Sequence, residues 1–473
     1  MKKCLNDDIF FTISAILEEE SLEGYVIGGY VRDALLGRTS KDIDIVVVGN
    51  GIHLAKRVAK QLGNINVSVF KNFGTAMVKH RDLEIEFVGA RKESYRYDSR
   101  KPMVENGTLE DDQKRRDFTI NAMAFGLNKQ NFGELVDPFD GRAHLQQKLI
   151  KTPLEPNITF SDDPLRMIRA IRFATQLDFK IDQSTFEAII NNSHRISILS
   201  AERITDEFNK MMMASKPSVG FRLLSDSGLL NRFLPEVEAL KGVEERQGIR
   251  HKDNFYHTIQ VLDNISEQSG DLWLRWATLL HDIGKPKTKQ FHSELGWTFH
   301  GHDFIGGKMV PVIFKRMRLP MNDKMKYVKK LVELHLRPMN LATDEVSDSA
   351  VRRLLFEAGD DIDDLMMLCE ADITSQNEKL KRQYLRNFKK VREKLKEIEE
   401  KDAIRNFQPP ISGDDIMEAF HIEPCREVGI IKNTIKDAIL DGEIRNDYQE
   451  AYELMVKKGK ELGLHLQKDK RNE

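Results

Sequence analysis

The stretch from Val26 to Val48 constrains this chain more than any other part of its sequence. Its first half predicts a short apolar strand, Tyr25–Ile27, followed by a helix, Tyr30–Leu36, which Gly37 would end as a C′ glycine. The dipeptide Gly28–Gly29 joins the two elements by a sharp turn. Because a glycine turn in front of a helix presents free backbone N–H groups, this turn is suited to bind a phosphate group.

The second half of the stretch carries two carboxylates one residue apart, Asp42 and Asp44. They precede the β-branched run Ile45–Val48, which predicts a buried strand. Because side chains alternate along a strand, both carboxylates would point to the same side. Carboxylates and phosphates are ligands that Mg²⁺ prefers. With Arg32 between the turn and the acidic pair, the stretch favours a metal–triphosphate site over a plain turn beside a solvated acidic pair.

A third carboxylate follows in a later segment. Leu83–Val88 alternates between apolar and acidic residues, which predicts a strand with one buried face. Its acidic face includes Glu86, which we expect beside Asp42 and Asp44 if the two strands are neighbours. A solvated strand face explains Glu86 alone equally well.

Two further blocks combine acidic and basic residues. The first, with Asp112, Arg115 and Arg116, is by composition alone more typical of a surface salt-bridge cluster. The second places Asp163 and Arg166 at positions i and i+3 of a predicted helix, where an ordinary ion pair explains them. A functional alternative also fits this pair. A carboxylate accepts and a guanidinium donates, so one Asp–Arg pair can bind cytosine and adenine while it rejects uracil and guanine.

Length and composition narrow the class of protein. A chain of 473 residues predicts about three or four domains. Hydrophobic residues make up 40% and charged residues 31%, the mean hydropathy is -0.47, and no apolar run is long enough to span a membrane. The three cysteines are far apart and the N-terminus lacks a signal sequence, so we expect a cytoplasmic protein. The net charge of -2 requires any RNA contact to come from local basic patches, and no protein partner is implied.

Three more segments bear on the fold. Residues 91–111 are polar and predict a long loop. A helix is predicted over Phe118–Phe125. Beyond about residue 160 the pattern is almost wholly helical. There, Lys379–Lys401 predicts one long helix with a single apolar stripe and other faces rich in Lys and Arg, which usually indicates a solvated helix.

A second cluster of metal-binding residue types follows an apolar helix predicted at Leu272–Leu280. Histidines and aspartates occur there in the order H…HD…H…H…D. The residues in this order are His257, His281, Asp282, His302, His335 and Asp372. The chain has 13 histidines, so single matches arise by chance, but the whole order is much less expected by chance. Imidazole and carboxylate ligands together suit a transition metal better than Mg²⁺ alone.

Three blocks together resemble one family: GGYVRDALLGRTSKDIDIVV at 28–47, RRDFTINAMAF at 115–125 and DDPLRMIRAIRFATQLDF at 162–179. They are similar to the class II tRNA nucleotidyltransferase and bacterial poly(A) polymerase family, which includes the CCA-adding enzymes. The resemblance is close through about residues 20–235 and looser beyond. It implies an α+β fold, in which a nucleotidyltransferase (polymerase β-like) head with a mixed sheet precedes an all-α body that includes an HD domain.

The resemblance also implies roles for the matching residues. Asp42 and Asp44 would hold two Mg²⁺ ions, with Glu86 in the third carboxylate position. The nucleotide would be bound by Gly28, Gly29, Arg32, Asp112, Arg115, Arg116, Asp163, Arg166, Arg169 and Arg172. Among these, Asp163 and Arg166 would read the base. The segment 91–111 matches a flexible loop of the family and favours addition of the complete CCA sequence over addition of CC alone.

The later histidines and aspartates resemble the HD superfamily of phosphohydrolases over roughly residues 250–375. This resemblance implies that one metal ion is bound by His257, His281, Asp282 and Asp372, and that His302 and His335 suit a second. The metal would be Mn, Fe, Ni, Co or Zn. Two interpretations stay open: a phosphatase or 2′,3′-cyclic phosphodiesterase acting on RNA ends, or a vestigial domain that only shapes an RNA-binding body.

The resulting hypothesis is a template-independent enzyme that adds CCA to tRNA 3′ ends from CTP and ATP and releases pyrophosphate. Its predicted domains are a nucleotidyltransferase head at 1–150, a helical nucleotide- and RNA-binding neck at 151–240, an HD domain at 241–375 and a helical tRNA-binding tail at 376–473. The alternatives are a poly(A) polymerase, an enzyme that adds only CC or only A, an HD nucleotide phosphohydrolase with a regulatory head, and a non-catalytic RNA-binding protein.

Overall fold

The computed structural model describes residues 2–71, 74–96, 99–342, 347–374, 377–402 and 407–466. The chain divides into two units. The first unit contains residues 1–238 together with 316–318, and the second contains 239–315 together with 319–473. The predicted division into four domains is finer than this one and stays a prediction.

The first unit combines a sheet with helices. Its strands are β1 Glu23–Ile27, β2 Asp42–Val48, β3 Val67–Phe70, β4 Thr75–His80, β5 Leu83–Gly89, β6 Arg91–Arg96, β7 Ser99–Asn106, β8 Ala124–Gly126, β9 Leu135–Val136, β10 Leu149–Ile150 and β11 Lys180–Ile181. Its helices are α1 Asp8–Glu19, α2 Gly29–Leu35, α3 Gly51–Gln61, α4 Leu109–Lys114, α5 Thr119–Ala122, α6 Gly141–Gln146, α7 Pro156–Asp162, α8 Leu165–Leu177, α9 Gln183–Asn192, α10 Ala201–Met212, α11 Ser218–Asp226, α12 Leu229–Phe233 and α13 Pro235–Glu238.

The main sheet has the strand order β3-β4-β5-β2-β1-β8-β9. Strands β2 and β5 are parallel, while β1 runs antiparallel to β2, so the sheet is mixed, as predicted. One face of β2 buries Ile43 and Ile45 completely or nearly so. On the other face, Val46 joins an apolar cluster with Tyr25 of β1 and other residues. Asp42 and Asp44 precede that cluster, so they lie at the end of the face where the apolar cover stops.

Two predictions for the head are wrong in this structure. Residues 91–111 are not a long loop, because β6 and β7 pair as an antiparallel hairpin and α4 begins at Leu109. The hairpin is a separate two-stranded sheet, so its strands lack the alternation of a half-buried strand. The helix predicted at Phe118–Phe125 is only the single turn α5, because β8 pairs with β1 and this long-range pairing overrides local propensity.

The second unit is almost wholly helical, with two short hairpins. Its helices are α14 Asn254–Ser266, α15 Leu272–Leu280, α16 Lys285–Thr288, α17 His302–Arg316, α18 Asp323–Leu334, α19 Leu336–Leu341, α20 Asp348–Ala358, α21 Ile362–Ala371, α22 Glu378–Asp402, α23 Gly413–Phe420, α24 Arg426–Asp441 and α25 Tyr448–Glu461. The hairpins are formed by β12 Glu245–Arg246 with β13 Ile249–Arg250, and by β14 Gln290–His292 with β15 Gly296–Thr298.

Apolar helices and their caps fix the positions that matter in the second unit. Asp271 caps α15 by accepting hydrogen bonds from the backbone N–H groups of Trp273 and Leu274, at 2.7 and 2.8 Å. The helix buries Trp276 and ends at Leu280, as predicted, so that the next two residues lie at its C-terminal end. Among the residues described, no helix has both the length and the apolarity required to cross a bilayer.

Candidate functional site

The first candidate site lies where β2 and β5 begin. Their parallel register pairs Asp44 with Glu86, which places both side chains on one face of the sheet. Ile85 and Phe87 are buried on the opposite face, as the alternation predicts. Within the described residues, the carboxylates of Asp42, Asp44 and Glu86 do not form a tight cluster. Their oxygen atoms do not all lie within 4.8 Å of one another. This is an open carboxylate arrangement, as suits a Mg²⁺ site that is completed by water and phosphate oxygens.

Negative charge is concentrated around Asp44. Burial raises the pKa of Asp44, Arg116 opposes this rise, and the nearby carboxylates of Glu86, Asp112 and Asp42 add to it. The charge of Arg116 therefore does not offset the combined effect of burial and the neighbouring carboxylates on Asp44. A divalent cation at this point would relieve the excess charge, so the donor set fits Mg²⁺.

The glycine turn brings the backbone close to these groups. Gly28 has a φ of 85°, in the left-handed region that favours glycine, and it links β1 to α2. A Cβ atom at Gly28 would lie 2.9 Å from Nη1 of Arg116 and 3.0 Å from Oδ2 of Asp44. Only glycine therefore fits here. The guanidinium of Arg116 and the carboxylate of Asp44 both lie close to the backbone of the turn.

Arg32 is nearly buried and already has partners. Its Nε and Nη2 donate to the two carboxylate oxygens of Asp33 at 2.9 and 2.8 Å, and its Nη1 donates to Oδ1 of Asn121 at 2.8 Å. Since a guanidinium has five N–H groups, at most two remain for a phosphate. The predicted phosphate-binding role of Arg32 is thus restricted to these donors, while the rest of the group connects α2 to α5.

Asp112 is completely buried between two arginines. Nε of Arg115 donates to Oδ1 of Asp112 at 2.9 Å, and Nε of Arg116 donates to Oδ2 at 3.2 Å. The carboxylate therefore orients both guanidinium groups rather than facing solvent. The surface salt-bridge interpretation of this block does not fit, because the shared carboxylate has no exposed surface.

These arginines lead into a polar cleft of about 210 Å³. It is lined by Arg115, Arg116, Asp117, Asp163, Arg166 and Arg169. Nη2 of Arg166 donates to the backbone oxygen of Arg115 at 2.6 Å, and Oδ1 of Asp163 accepts from the backbone N–H of Leu165 at 3.1 Å. The structure thus brings together in one cleft five of the ten residues predicted to bind the nucleotide, including the pair predicted to read its base.

Sequence reasoning missed Asp117, which lines this cleft, and its hydrogen-bond partner Asn121. Asp117 accepts hydrogen bonds from the backbone N–H of Phe118 at 2.8 Å, from Nδ2 of Asn121 at 3.0 Å and from Nε of Arg169 at 2.8 Å. Asn121 in turn binds Arg32. Their spacing of four residues within the block 115–125 could have suggested that Asp117 and Asn121 interact. Their buried partners Arg169 and Arg32 lie in distant segments of the sequence, so the pattern does not predict these contacts.

Arg169 and Arg172 of α8 are largely held by protein groups. Both pair with Glu207 of α10, and Nε of Arg172 lies 2.5 Å from its Oε2. The guanidinium of Arg172 also lies 3.9 Å from the ring centroid of Phe173. Their predicted supporting role in nucleotide binding is compatible with these contacts, which fix α8 relative to α10.

The second candidate site is formed by helix ends in the second unit. His257 lies inside α14, His281 and Asp282 directly follow α15, and His302 begins α17. His335 follows α18, and Asp372 follows α21. All six side chains are buried or nearly so. They form two groups, within each of which the ligand atoms all lie within 4.8 Å: His257, His281 and Asp372, and then Asp282, His302 and His335.

Asp282 connects the two groups. Its Oδ2 lies 3.3 Å from Nε2 of His281 and 3.8 Å from Nε2 of His257. Its Oδ1 lies 3.3 Å from Nε2 of His302 and 3.8 Å from Nε2 of His335. Sequence reasoning assigned Asp282 to the first group alone, whereas its two oxygens face different groups in the structure. If metal ions are bound here, Asp282 would contribute a ligand oxygen to each of the two groups.

Hydrogen bonds to backbone oxygens fix the ring orientation of three histidines. Nδ1 of His281, His302 and His335 each lies 2.7–2.8 Å from the backbone oxygen three residues earlier, on Thr278, Phe299 and Val332. Nδ1–H then donates outward, which leaves the Nε2 lone pair free to face the centre. His257 differs, since its Nδ1 contacts Nζ of Lys252 at 2.8 Å and Oγ1 of Thr374 at 2.9 Å.

Two buried atoms at this centre fit a metal ion. Nε2 of His281 and Oδ1 of Asp372 form no hydrogen bond of regular geometry, although Oδ1 of Asp372 lies 2.7 Å from Nε2 of His257 and 3.6 Å from Nε2 of His281. Buried polar atoms are rarely left in this state unless a ligand or ion completes them. Lys285 also reaches the centre, because its Nζ donates to Oδ2 of Asp282 at 2.6 Å. Imidazole and carboxylate donors in this number favour a transition metal over Mg²⁺.

Comparison with known proteins shows the family to which the chain belongs. Three family models match the chain: the Poly A polymerase head domain at residues 24–151, the "Probable RNA and SrmB- binding site of polymerase A" at 178–241, and the HD domain at 254–377. In solved structures, the chain is similar to Bacillus stearothermophilus CCA-adding enzyme in complex with CTP, with a TM-score of 0.67, 22% identity and coverage of 98% of this chain and 99% of that one. It also resembles a tRNA nucleotidyltransferase complexed with a primer tRNA and an incoming ATP analogue, with a TM-score of 0.55, 26% identity and coverage of 80% and 98%.

Among relatives, the chain is 30% identical to the A-adding tRNA nucleotidyltransferase of Deinococcus radiodurans, over 89% of this chain and 92% of that protein. It is 34% identical to the A-adding enzyme of Aquifex aeolicus over 61% of this chain, a match that spans only 35% of that protein. It is 33% identical to the multifunctional CCA protein of Herminiimonas arsenicoxydans, over 63% of this chain and 70% of that protein.

Fold and site together define a nucleotidyltransferase head joined to an HD domain, two kinds of domain that generally use divalent metals. The chain belongs to the tRNA nucleotidyltransferase family, as its match along nearly the whole Deinococcus relative shows.

Proposed function

We propose that this chain adds nucleotides to the 3′ end of tRNA without a template, completing CCA from CTP and ATP and releasing pyrophosphate. The observation that carries the proposal is the parallel register of β2 and β5, which aligns Asp44 with Glu86. The names of the aligned relatives support a catalytic head over a regulatory nucleotide sensor. We place the reaction in the cytoplasm, where tRNA, CTP and ATP are available.

The carboxylates and arginines of the first unit have complementary tasks in this proposal. Asp42 and Asp44, with Glu86 beside them, would hold two Mg²⁺ ions, which when bound lower the pKa of the tRNA 3′ hydroxyl and neutralise phosphate charge. Arg116, held against the Gly28 turn, binds the triphosphate. The hydroxyl oxygen then forms a bond to the α-phosphorus while the bond from that phosphorus to the β-phosphate oxygen breaks.

Base choice is assigned to the cleft that contains Asp163 and Arg166. Asp163 accepts from the exocyclic amino group of cytosine or adenine, and Arg166 donates to the neighbouring ring nitrogen. Uracil and guanine present donors and acceptors in the opposite order. They would leave polar groups unpaired, which costs about 1–3 kcal/mol for each group.

One incorporation experiment tests the proposal. Purified protein is incubated with Mg²⁺, each labelled nucleoside triphosphate, and a tRNA transcript that lacks its 3′ CCA. We expect two C additions, then one A addition, then a stop, and no incorporation by Asp44→Asn. A long A tract would instead indicate a poly(A) polymerase, and failure to incorporate any nucleotide would refute nucleotidyl transfer.

A second candidate function is the addition of the terminal A alone. It is favoured by the name of the Deinococcus relative, which aligns over 92% of its length. A transcript that already ends in CC separates the two candidates, since an A-adding enzyme extends only this transcript and uses only ATP.

For the second unit, we propose a metal-dependent phosphohydrolase that acts on phosphate esters such as RNA ends. The proposal rests on Asp282, whose two oxygens face two groups of ligands. The metal would be Mn, Fe, Ni, Co or Zn. Hydrolysis of 2′,3′-cyclic AMP and of a 3′-phosphorylated RNA end, measured with each metal in turn, tests it. We also propose the four-domain division given above, which limited proteolysis can test.

A further inference from the structure

His257 differs from the other three histidines of the second site in what its outer ring nitrogen contacts. Nδ1 of His281, His302 and His335 faces a backbone oxygen, which can only accept a hydrogen bond. Nδ1 of His257 instead lies 2.8 Å from Nζ of Lys252. An ammonium group has three donors and no acceptor, so Lys252 donates here and Nδ1 of His257 accepts. This ring therefore meets a donor where the other three rings meet an acceptor.

The contact with Lys252 imposes a tautomer that does not suit metal binding through Nε2 of His257. A neutral imidazole carries one proton, and when Nδ1 accepts a hydrogen bond that proton is on Nε2. Nε2 of His257 is the atom that faces the centre, since it lies 2.7 Å from Oδ1 of Asp372 and 3.8 Å from Oδ2 of Asp282. A protonated nitrogen has no lone pair for a metal ion. Lys252 therefore opposes the use of His257 as a ligand.

A second neighbour of the same ring nitrogen supports the opposite tautomer. Oγ1 of Thr374 lies 2.9 Å from Nδ1 of His257. A hydroxyl oxygen accepts as well as donates, so it can accept from Nδ1–H and leave the Nε2 lone pair facing the centre. Nζ of Lys252 also lies 2.5 Å from this oxygen. The ring can adopt the metal-binding tautomer only when Nζ of Lys252 moves away from Nδ1.

Lys252 can withdraw its ammonium group without a change in the fold. The residue as a whole is exposed, and it lies just before α14, which begins at Asn254 with Asp253 as its N-cap. Only the tip of the side chain contacts His257 and Thr374. Because the stem of a lysine is a flexible chain of four carbons, a change of rotamer is sufficient to move Nζ.

We propose that Lys252 is a positioning residue that competes with a metal ion for His257, and that Thr374 takes over the ring nitrogen when the ion binds. This inference rests on the proposed metal-dependent function of the second unit. Metal binding at the group that contains His257 would then be weaker than its ligands allow. His302 and His335 of the other group are already oriented by backbone oxygens, so the affinity of that group should depend little on Lys252.

Metal titration of the full chain tests the inference. Metal-free protein is titrated with Co²⁺ by isothermal titration calorimetry, with Mg²⁺ in excess so that the carboxylates of the first site are occupied. In Lys252→Met we expect one binding step to tighten by about 10- to 100-fold and the other to change by less than about threefold. The exposed variant Lys287→Met is the matched control and should keep both wild-type affinities.

Variants of Thr374 should have the opposite effect. Thr374→Val removes the acceptor that Nδ1–H of His257 needs, so one binding step should weaken by about tenfold or more. Thr374→Ser keeps the hydroxyl and should bind metal as the wild type does. A purely structural role of this position would not distinguish Ser from Val in metal affinity.

A double-variant cycle separates control of the tautomer from simple charge repulsion between Lys252 and the ion. If Lys252 acts through the ring, Lys252→Met should gain no affinity when His257→Ala is also present. The same gain with and without His257 would overturn the inference, and so would unchanged or weaker binding by Lys252→Met alone. Nucleotide incorporation by Lys252→Met should equal that of the wild type, because it depends on residues of the other unit.

The outcomes also distinguish this inference from the proposed function. If neither the wild type nor Lys252→Met binds Co²⁺, the proposed metal centre and the inference are refuted together. If Lys252→Met binds more tightly as expected but no phosphate ester is hydrolysed, the proposed phosphohydrolase alone is refuted.

Discussion

Asp117 is the residue on which several buried contacts of the first unit converge. Burial alone raises the pKa of its carboxyl. The charge of Arg169, hydrogen bonds from Asn121 and Arg169, and the charge of Arg166 outweigh this and bring the pKa of Asp117 to about 2. The group is therefore an anion in the folded protein at any pH at which the enzyme works, and it holds the arginines that line the cleft.

The low pKa of Asp117 predicts an acid-dependent loss of stability. Its value in the folded chain is below the ordinary 3.8, so its contribution is fully present above about pH 4 and is lost as the pH falls towards 2. We expect this contribution to be about 2 kcal/mol. In Asp117→Asn, unfolding in urea followed by circular dichroism should show a lower stability at pH 7 and a flatter decline between these pH values. Asp206→Asn, an exposed change in α10, should behave as wild type.

A second prediction concerns base choice at Arg166. Replacing it by Ala removes the donor that would pair with the ring nitrogen, so discrimination against UTP and GTP should fall by about 10- to 100-fold. The measurement is kcat/KM for each of the four nucleoside triphosphates. Arg166→Lys should also lose selectivity, because a single ammonium group lacks the planar fork. Unchanged selectivity in both variants would contradict base reading by this residue.

At the scale of elements, the backbone turn between β1 and α2 lies close to the charged side chains of the first candidate site. Gly28 and Gly37 flank the same helix, and both have positive φ values, 85° and 70°. Their surroundings differ. A Cβ at Gly28 would meet Arg116 and Asp44, whereas one at Gly37 would meet no atom within 4 Å. A substitution at Gly37 would therefore introduce backbone strain alone, whereas one at Gly28 would introduce the same strain and a steric clash.

Gly28→Ala should therefore damage activity more than stability. Both Gly28→Ala and Gly37→Ala should lower the free energy of unfolding by about 1–2 kcal/mol, because each places an L-residue in the left-handed region. Only Gly28→Ala should also reduce kcat/KM for nucleotide incorporation, by about tenfold or more, because its Cβ displaces Arg116 or Asp44. Equal activity of the two variants would show that the contact at Gly28 does not matter.

The same scale shows what sequence could predict. Strands β2 and β5 and helix α15 were predicted because each carries a clear apolar pattern on a buried face. The β6–β7 hairpin was not, since it pairs outside the main sheet, and β8 was read as helix because its partner β1 is distant in sequence. The types of the candidate ligands and their order could be predicted, but the position of Asp282 between the two groups depends on side-chain orientation, which sequence spacing does not reveal.

At the scale of the whole molecule, the two centres proposed to bind metal ions belong to two different units. The carboxylates of β2 belong to the first unit, and Asp282 belongs to the second. Because Asp282 faces both groups of ligands, its loss should impair both metal positions together. Nucleotide incorporation uses residues of the other unit and should persist.

Asp282→Asn should thus lose tightly bound metal without losing nucleotidyl transfer. After dialysis, mass spectrometry of metals should show the wild type retaining a transition metal and the variant retaining about a tenth of it or less, an effect of about 1.4 kcal/mol or more. Incorporation on tRNA should stay within about twofold of wild type. The exposed variant Asp323→Asn should keep both properties. Full metal retention by Asp282→Asn would rule out the bridging role.

The strand order of the main sheet has a consequence for synthesis of the chain on the ribosome. Strand β1 is made early, but its neighbour β8 follows roughly 100 residues later, after the segment that carries Arg116 and Asn121. Until β8 emerges, β1 has an unpaired edge, which is a template for pairing with another chain. A nascent chain that stalls between Asn121 and Ala124 therefore already contains its acidic strand and Arg116, but it lacks the strand that pairs with the free edge of β1. Such a chain is more prone to aggregate than to bind a nucleotide. Once β8 has been synthesised, it pairs with β1 and covers this edge.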